Sequence, residues 1–350
     1  MPKSQYIDPK EMRKAGEITF SPIPVNQYKK TAKEELKSKH FTKDDLKRIY
    51  RDMVVIREFE TMLQLVKTTG GYNGVEYNTP GPAHLSAGQE AAAVGMAYML
   101  DINDFIFGSH RSHGEILAKG LRAIELLDDK SLEKIMNEFW DGATVNVAKK
   151  AYKGGSVKEL GIRFLLYGAL AEIFARTTGF NKGLGGSMHT FFTPFGIYPN
   201  NAIVGGSGSI AVGAALYKKV NRKPGIVVAN IGDASMARGP VWEGMTFAAM
   251  DQFKQLWEGD MKGGLPVIIN IMDNQYGMGG QTRGETMGFD FAARIGAGVN
   301  PEQMHAERVD GFNPLAVIDA YRRKKAILEK EKAGPVLLDV LTYRYSGHSP

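Results

Sequence analysis

The chain of 350 residues contains no cysteine. This absence excludes disulfide bonds, thiolate catalysis and zinc sites built from thiolates. The first twenty residues lack the apolar core of a secretory signal, and no later stretch stays apolar over the length that a membrane-spanning helix needs. We therefore expect a soluble protein of the cytoplasm that has no contact with a membrane.

The chain also has only a small excess of one sign of charge. Lys and Arg number 44 against 38 Asp and Glu, which gives a formal net charge of +6. The excess is spread over clusters such as Lys29-Lys30 and residues 322–325, and no basic module with interleaved aromatic residues accompanies them. We interpret these clusters as solvated surface. Nucleic acid is therefore not an expected partner, whereas an anionic small ligand is compatible with the charge.

The pattern of apolar residues predicts an α/β protein. Runs rich in β-branched residues, GIVVANI, LPVIINIM and PVLLDVLTY, alternate with helical patterns at residues 240–257 and 313–331. Such alternation is typical of a parallel sheet covered by helices on both faces, so we expect a doubly wound, mostly parallel sheet. Ligands of this architecture bind at the carboxyl ends of the strands.

The organisation along the chain suggests one domain with an extension. Residues 1–45 are polar and rich in Lys, and we interpret them as an N-terminal extension that packs over a neighbour. Residues 46–350 form the domain, and Thr42 is predicted to cap its first helix. Amphipathic helices at about 121–180 are interpreted as an insertion whose apolar stripes pack in a core or interface. The segment TYRYSGHSP suggests that the sequence is truncated within a loop.

Two of the predicted strands end in polar residues. GIVVANI is followed by Gly232 and Asp233, and LPVIINIM is followed by Asp273 and Asn274. Adjacent parallel strands would bring these residues to one edge of the sheet. A carboxylate, an amide oxygen and a backbone carbonyl are ligands that Mg²⁺ prefers. The alternative is that Asp233 caps the following helix and Asn274 makes a turn, because both residue types commonly do so.

The context of Asp233 favours the metal interpretation. Ala234 and Ser235 follow it at the predicted start of a helix, where a diphosphate binds readily. The chain has no Walker loop, and the VGGSGSIAVG segment lacks the order of elements of a dinucleotide-binding fingerprint. The residues therefore point to a cofactor that carries a diphosphate and Mg²⁺ and is held by an Asp/Asn pair.

The segments GDASMARG and DNQYGMG, in this order, resemble the cofactor motif of a known family. It is the alpha subunit of the thiamine diphosphate-dependent decarboxylating component of 2-oxoacid dehydrogenase complexes, a family that includes pyruvate, branched-chain 2-oxoacid and acetoin enzymes. The resemblance implies a thiamine diphosphate-binding fold with thiamine diphosphate and Mg²⁺ as cofactors. It implies that the side chains of Asp233 and Asn274 and the backbone carbonyl of Tyr276 ligate the metal, beside Gly232, Ala234 and Ser235.

Further segments are similar to the family in the same order, among them GLGGSMH. The resemblance implies a substrate-facing His84 in HLSAGQEAAAVG, diphosphate contacts from His110 and Arg111 in GSHRSHG, aminopyrimidine contacts at Ala202 and Val204, and an active-site His348 in TYRYSGHS. His84 and His348 are the expected catalytic residues, because histidines orient carboxylates and move protons near neutral pH. His348 is also expected at the cofactor, while His113 and His189 are expected beside the site.

The function that this resemblance implies is oxidative decarboxylation of a 2-oxoacid, or cleavage of acetoin, with acyl transfer to a lipoyl group. The implied partners are a beta subunit or fused beta domain, which supplies the glutamate that activates the aminopyrimidine, and a lipoyl-bearing acyltransferase. The implied assembly is an oligomer such as a heterotetramer. Two alternatives stay open: a transketolase-like or non-oxidative thiamine enzyme, and a non-catalytic paralogue with an assembly or regulatory role.

The chain departs from the family pattern at several positions. His110 stands where the family has tyrosine, Ala234 where it has glycine, Asp273 where it has asparagine and Ser346 where it has histidine. The segments near 121–180 and 251–264 are longer than usual. These departures leave the substrate open, and they predict a divergent member of the family.

Overall fold

The computed structural model describes residues 4–77 and 81–349, so Pro350 lies outside the described residues. The strands are β1 (Gly71–Tyr72), β2 (Val75–Glu76), β3 (Phe105–Phe107), β4 (Ile197–Tyr198), β5 (Val227–Gly232), β6 (Val267–Asp273), β7 (Glu307–Asp310) and β8 (Val336–Leu341). Apart from the antiparallel pair β1–β2, they form one six-stranded sheet in the order β4-β3-β5-β6-β8-β7. Every pairing in that sheet is parallel.

The helices surround this sheet. They are α1 (Pro9–Met12), α2 (Ala32–Lys37), α3 (Lys43–Thr69), α4 (Glu90–Tyr98), α5 (His113–Leu126), α6 (Asp129–Glu138), α7 (Ala143–Lys150), α8 (Val157–Ile173), α9 (Ser207–Val220), α10 (Gly239–Ala248), α11 (Gln252–Gln255), α12 (Ile295–Val299) and α13 (Pro314–Glu329). In the part of the chain that the structure describes, none of them combines the length and apolarity needed to cross a membrane.

Two apolar cores lie on opposite faces of the sheet. Alternate residues of a strand point to opposite faces, so Val228 and Ile268 join one core while their neighbours Val227 and Val267 join the other. Helices α3, α4, α5, α8 and α13 contribute to the first core, and α9 and α10 contribute to the second. The prediction of a doubly wound, parallel α/β architecture is therefore confirmed.

One local prediction is wrong and two others are confirmed. The helix predicted over 240–257 is two helices, α10 and α11, because the chain turns after Ala248 and thereby places Phe253 in the core. The helices of the 121–180 region do pack their apolar stripes inside, as expected, and Leu132 and Phe164 are fully buried there. Thr42 caps α3 through a reciprocal pair of hydrogen bonds with Asp45, as predicted.

The N-terminal extension packs in part on its own domain. Val25 forms a parallel bridge with Arg308, so this segment lies along the outer edge of β7. Glu35 and Phe41 are buried, whereas the large apolar residues Tyr6, Ile7 and Ile18 are exposed. The expectation that the extension covers a neighbour remains a prediction for both halves, of which the second also packs on its own domain.

Candidate active site

Asp233 lies at the carboxyl end of β5, in a short 3₁₀ turn over Asp233–Ala237. Its carboxylate is buried and accepts a hydrogen bond from the hydroxyl of Thr282. Burial raises the pKa of Asp233 to about 6; the bond from Thr282 opposes this shift and the charge of Asp273 adds to it. α10 begins only at Gly239, so the capping interpretation of Asp233 is wrong: its side chain is bonded to a distant hydroxyl.

Asn274 follows the neighbouring strand β6. Gly232 pairs with Met272 in the sheet, and this register brings Asp233 and Asn274 to the same edge, as predicted. The Asn274 side-chain oxygen accepts a hydrogen bond from the Tyr276 amide at 3.1 Å, around a left-handed Gln275 with φ +66°. The turn interpretation of Asn274 is therefore correct in this structure, and the turn also carries the Tyr276 carbonyl.

The donor set at this edge is compatible with Mg²⁺. It comprises one carboxylate, one amide oxygen and one backbone carbonyl, all of them hard oxygen ligands. Within residues 4–77 and 81–349, no three His, Asp or Glu side chains are grouped in a metal-binding arrangement. A metal here would consequently depend on phosphate oxygens and water to complete its coordination.

Asp273 is engaged in a different interaction. Arg308 on β7 donates to the Asp273 carboxylate at 2.9 Å and to Asp339 on β8 at 2.7 Å, and all three side chains are buried. Burial raises the pKa of Asp339 to about 7, against the opposing effect of Arg308. The sequence reasoning missed Arg308 and Asp339, although a carboxylate inside the apolar run PVLLDVLTY was a signal. The ion pair explains how the chain accommodates an acidic residue at position 273.

Three histidines from distant parts of the chain meet beside this edge. The ring centroids of His84 and His348 are 5.0 Å apart, those of His84 and His110 are 5.5 Å apart, and those of His110 and His348 are 5.8 Å apart. Burial, and then the charge of Arg111, lowers the pKa of His84 to about 4 and that of His110 to about 3. These two rings are therefore neutral at pH 7, and each offers both a donor and an acceptor nitrogen.

Two arginines make the site electropositive. Arg111 is buried and donates to the carbonyls of Leu85 at 2.7 Å and His348 at 3.1 Å. Arg344 lies 3.0 Å from a ring nitrogen of His348 and donates to the Gly277 carbonyl at 3.2 Å. Burial and the charge of Arg344 lower the pKa of Arg111 to about 10, so both remain charged at pH 7. The sequence reasoning predicted Arg111 and missed Arg344.

Two buried polar atoms of the site have no hydrogen-bond partner. They are Nδ1 of His84 and Nε of Arg111. An unmade bond of this kind costs about 1–3 kcal/mol, and such atoms commonly mark where a ligand binds. Together with two guanidinium groups near a single Asp233 carboxylate, they fit an anionic group such as a diphosphate.

The remaining predicted residues surround a narrow cleft. His110, Val204, Gly232 and Ser235 line it, whereas Ala202 lies exposed in the same loop and does not. The methyl group of Ala234 faces Gly277, since a Cβ built on Gly277 would lie 3.4 Å from it. The structure thus brings most of the predicted set together and leaves Ala202 outside the cleft.

The histidines expected beside the site make structural hydrogen bonds. His113 bridges Glu60, at 3.0 Å, and the Ser187 hydroxyl, at 2.9 Å, and His189 bonds to Asn200 at 2.8 Å. Glu60 was missed by the sequence reasoning, because nothing in the sequence indicates that α3 faces the site.

Comparison with known proteins gives consistent matches. The model of the family described as "Dehydrogenase E1 component" matches residues 51–162 and 157–350. The alpha subunit of the pyruvate dehydrogenase E1 component of Rhizobium meliloti (strain 1021) is 30% identical over 309 residues, which are 88% of this chain and 70% of that protein. The corresponding mitochondrial type II subunit of Ascaris suum is 28% identical over 333 residues, which are 95% of this chain and 67% of that protein.

Two further proteins are similar. The alpha subunit of the acetoin:2,6-dichlorophenolindophenol oxidoreductase of Bacillus subtilis (strain 168) is 30% identical over 305 residues, which are 86% of this chain and 70% of that protein. Among solved structures, a transketolase from Campylobacter jejuni aligns with 85% of this chain and 38% of its own, at 11% identity and a TM-score of 0.48.

Proposed function

The chain belongs to the dehydrogenase E1 component family, and from this premise we propose that it is the alpha part of a thiamine diphosphate- and Mg²⁺-dependent enzyme. The reaction is oxidative decarboxylation of a 2-oxoacid, or cleavage of acetoin, with acyl transfer to a lipoyl group. Residues 46–350 form the half of the site that binds the diphosphate. The observation that carries the proposal is the meeting of Asp233, Asn274 and Arg111 at one edge of the sheet beside three histidines.

The residues divide into two groups by task. Asp233, Asn274 and the Tyr276 carbonyl would hold Mg²⁺, and Arg111 would pair with diphosphate charge. When bound, thiamine diphosphate supplies an electron sink for the loss of carbon dioxide. The loop that carries Val204 would contact the aminopyrimidine ring.

Two of the histidines act on the substrate side. His84 and His348 lie close enough to contact one small ligand, and Nδ1 of His84 is buried without a hydrogen-bond partner. A neutral imidazole can donate a hydrogen bond to a substrate carboxylate or keto oxygen and can hold a proton at its other nitrogen. Arg344, which contacts His348, supplies positive charge next to that position.

Partners complete this proposed site. The activating glutamate and the second half of the cofactor pocket come from a beta subunit or fused beta domain, and a lipoyl-bearing acyltransferase accepts the acyl group. The assembly is an oligomer that contains both alpha and beta parts, which we place in the cytoplasm.

The proposal is tested by calorimetric titration of the chain, together with its beta partner, with thiamine diphosphate in the presence and absence of Mg²⁺. We expect Mg²⁺-dependent binding that Asp233→Ala abolishes. Pyruvate and acetoin are then supplied with and without a lipoylated acceptor. Turnover that needs no acceptor would indicate a non-oxidative thiamine enzyme, and a failure to bind the cofactor would indicate a non-catalytic paralogue.

A further inference from the structure

One face of α3 contacts several loops of the site. Arg57, Glu60 and Gln64 are spaced by three and four residues, so their side chains share this face. Each of them bonds to a different segment that is distant in sequence. A single long helix thereby contacts several loops, the most distant of which, at Ser346, lies 282 positions from Gln64.

Glu60 lies at the centre of this face and is fully buried. Its carboxylate accepts hydrogen bonds from the Ser86 amide at 3.0 Å and from the Ser86 hydroxyl at 3.2 Å. A ring nitrogen of His113 lies 3.0 Å from the same carboxylate. Ser86 is two residues from His84, and His113 is two residues from Arg111, so Glu60 holds the two segments that carry these site residues.

The connections continue outward from Glu60. The other ring nitrogen of His113 lies 2.9 Å from the Ser187 hydroxyl, in the GLGGSMH loop. The Ser86 hydroxyl also accepts a bond from the Gly114 amide at 3.0 Å, at the start of α5. One buried carboxylate therefore fixes the relative placement of three loops around the histidines.

The neighbours of Glu60 on α3 hold the remaining segments. Arg57 makes a bidentate pair with Glu90, at 2.6 and 2.9 Å, and its guanidinium lies 5.0 Å from the ring centroid of Tyr345. Gln64 accepts a bond from the Ser346 hydroxyl at 3.2 Å. Tyr345 and Ser346 precede His348, so the loop of the third histidine is anchored on the same helix.

We propose that Glu60 is a positioning residue for the substrate side of this site, acting through Ser86 and His113 on the segments that carry His84 and Arg111. The inference rests on the proposed function. On the diphosphate side, Glu60 does not contact the ends of β5 and β6, which carry Asp233 and Asn274, and it reaches Arg111 only through the segment of His113. A change at Glu60 should therefore lower kcat strongly and weaken cofactor affinity only slightly, through Arg111.

The test uses Glu60→Gln in the chain assembled with its beta partner. Glutamine keeps the volume of the side chain, but its NH2 group cannot accept the hydrogen bonds that Ser86 and His113 donate to the carboxylate. We expect kcat with pyruvate or acetoin to fall on the order of 10- to 100-fold, since a small misplacement of reacting groups has effects of this size. The Kd for thiamine diphosphate with Mg²⁺ should stay within about threefold of the unchanged protein, an effect below 1 kcal/mol.

Glu35→Gln is the matched control. Glu35 is also a fully buried carboxylate, and it accepts bonds from Tyr28 at 2.8 Å and from His40 at 2.6 Å, neither of which belongs to the site. It should lower the denaturation midpoint in the same way as Glu60→Gln while leaving kcat unchanged. Hydrogen exchange gives a readout that needs no activity: the amides of Ser86 and Gly114 should exchange faster in Glu60→Gln and not in Glu35→Gln.

Ser86→Ala serves as a milder second variant if Glu60→Gln does not fold. It removes the hydroxyl between Glu60 and Gly114, and we expect kcat to fall about fivefold, the equivalent of one hydrogen bond. If the wild-type complex is active and these variants have the same kcat as the wild type, the positioning role is overturned and the proposed function is not. A loss of kcat that Glu35→Gln reproduces would have the same meaning. A wild-type complex that neither binds thiamine diphosphate nor turns over either substrate would overturn the proposed function as well.

Discussion

Burial of Asp233 and its proposed role as a metal ligand favour opposite protonation states. Its carboxylate is buried, which favours the protonated form, and a metal would need the ionised form. Because burial raises the pKa of Asp233 to about 6, protons compete with Mg²⁺ below that pH. We expect the apparent Kd for Mg²⁺ to rise about tenfold per pH unit below pH 6. This Kd is measured by thiamine diphosphate titration with the beta partner present.

Thr282→Val provides the matched control for this prediction. The Thr282 hydroxyl donates to Asp233 and thereby lowers its pKa, and valine has nearly the same shape without the donor. The midpoint of the pH dependence should therefore move to higher pH in the variant. A midpoint that is the same in both proteins would mean that another group controls the titration.

The same residue contributes to stability with a definite sign. A carboxyl whose pKa is raised on folding binds protons more tightly in the folded state, so its contribution to stability is lost as pH rises from about 4 through 6. Asp233→Asn should therefore raise the thermal midpoint of the metal-free chain at pH 7.5 and have less effect at pH 5. A lower midpoint at pH 7.5 would contradict this assignment. Residues that serve ligand binding often lower the stability of the protein when no ligand is bound.

Some of these residues could be predicted from sequence and others could not, for a physical reason. Asp233 and Asn274 follow apolar strands, so the strand pattern alone places them at one edge. Thr282 and Glu60 gain their roles only through partners 49 and 26 positions away, and no local pattern encodes such contacts. Ala202 was predicted from the resemblance, and its exposed position depends on how the loop turns before α9.

At the scale of elements, Arg308 connects three strands. Its guanidinium on β7 pairs with Asp273 on β6 and Asp339 on β8, and all three side chains are nearly inaccessible. Removing one partner of such a cluster leaves uncompensated buried charge. We expect Arg308→Met to reduce the free energy of unfolding by about 3–5 kcal/mol at pH 8, as measured by urea denaturation.

The loss should be smaller at low pH. Burial already raises the pKa of Asp339 to about 7, and without Arg308 this carboxyl would take up a proton more readily. The control is Arg294→Met, which breaks an exposed pair with Asp290 whose side chains are 70% and 72% exposed. That variant should behave as the unchanged protein. Equal losses of unfolding free energy in the two variants would show that the cluster contributes no more to stability than a surface pair does.

The elements themselves were predictable to different degrees. β5, β6 and β8 are apolar runs buried on both faces, and for this reason their positions were predicted. β7 has the sequence ERVD, in which three of four residues are charged, so it lacks the apolar signature of a strand; Glu307 and Arg308 pair with neighbours inside the fold. β4 has only two residues and is a strand because β3 lies beside it. Sequence pattern predicts elements that bury their own side chains and misses those that depend on partners.

At the scale of the molecule, the site combines two groups of residues. Asp233 and Asn274 follow β5 and β6, and loops anchored on α3 carry the histidines. The chain order of these parts is interleaved, so neither group corresponds to a contiguous segment. Any relative movement of α3 and the sheet would separate the substrate side from the diphosphate side. The packing that fixes α3 on the sheet is therefore part of the site's geometry.

The N-terminal extension contributes to that packing unequally along its length. Tyr6, Ile7 and Ile18 are exposed, whereas Glu35 and Phe41 are buried and the Val25 segment pairs with Arg308 at the sheet edge. We expect deletion of residues 1–20 to leave the denaturation midpoint of the chain without its partner unchanged. Deletion of residues 1–41 keeps the Thr42 cap of α3 but removes the buried part, and the loss of Phe41 alone should cost about 3 kcal/mol.

The two deletions form a matched pair, because they differ only in residues 21–41. Urea denaturation of the chain without its partner, followed by far-ultraviolet circular dichroism, measures both midpoints. Equal loss in the two variants would assign a packing role on this domain to residues 4–20, whereas a loss from the shorter deletion that occurs only with the beta partner present would place their exposed apolar side chains against another subunit. An unchanged midpoint in both would contradict the contribution of Glu35 and Phe41. A loss confined to the longer deletion would mean that the folding unit begins within residues 21–41, ahead of the boundary at residue 46 that composition alone indicates.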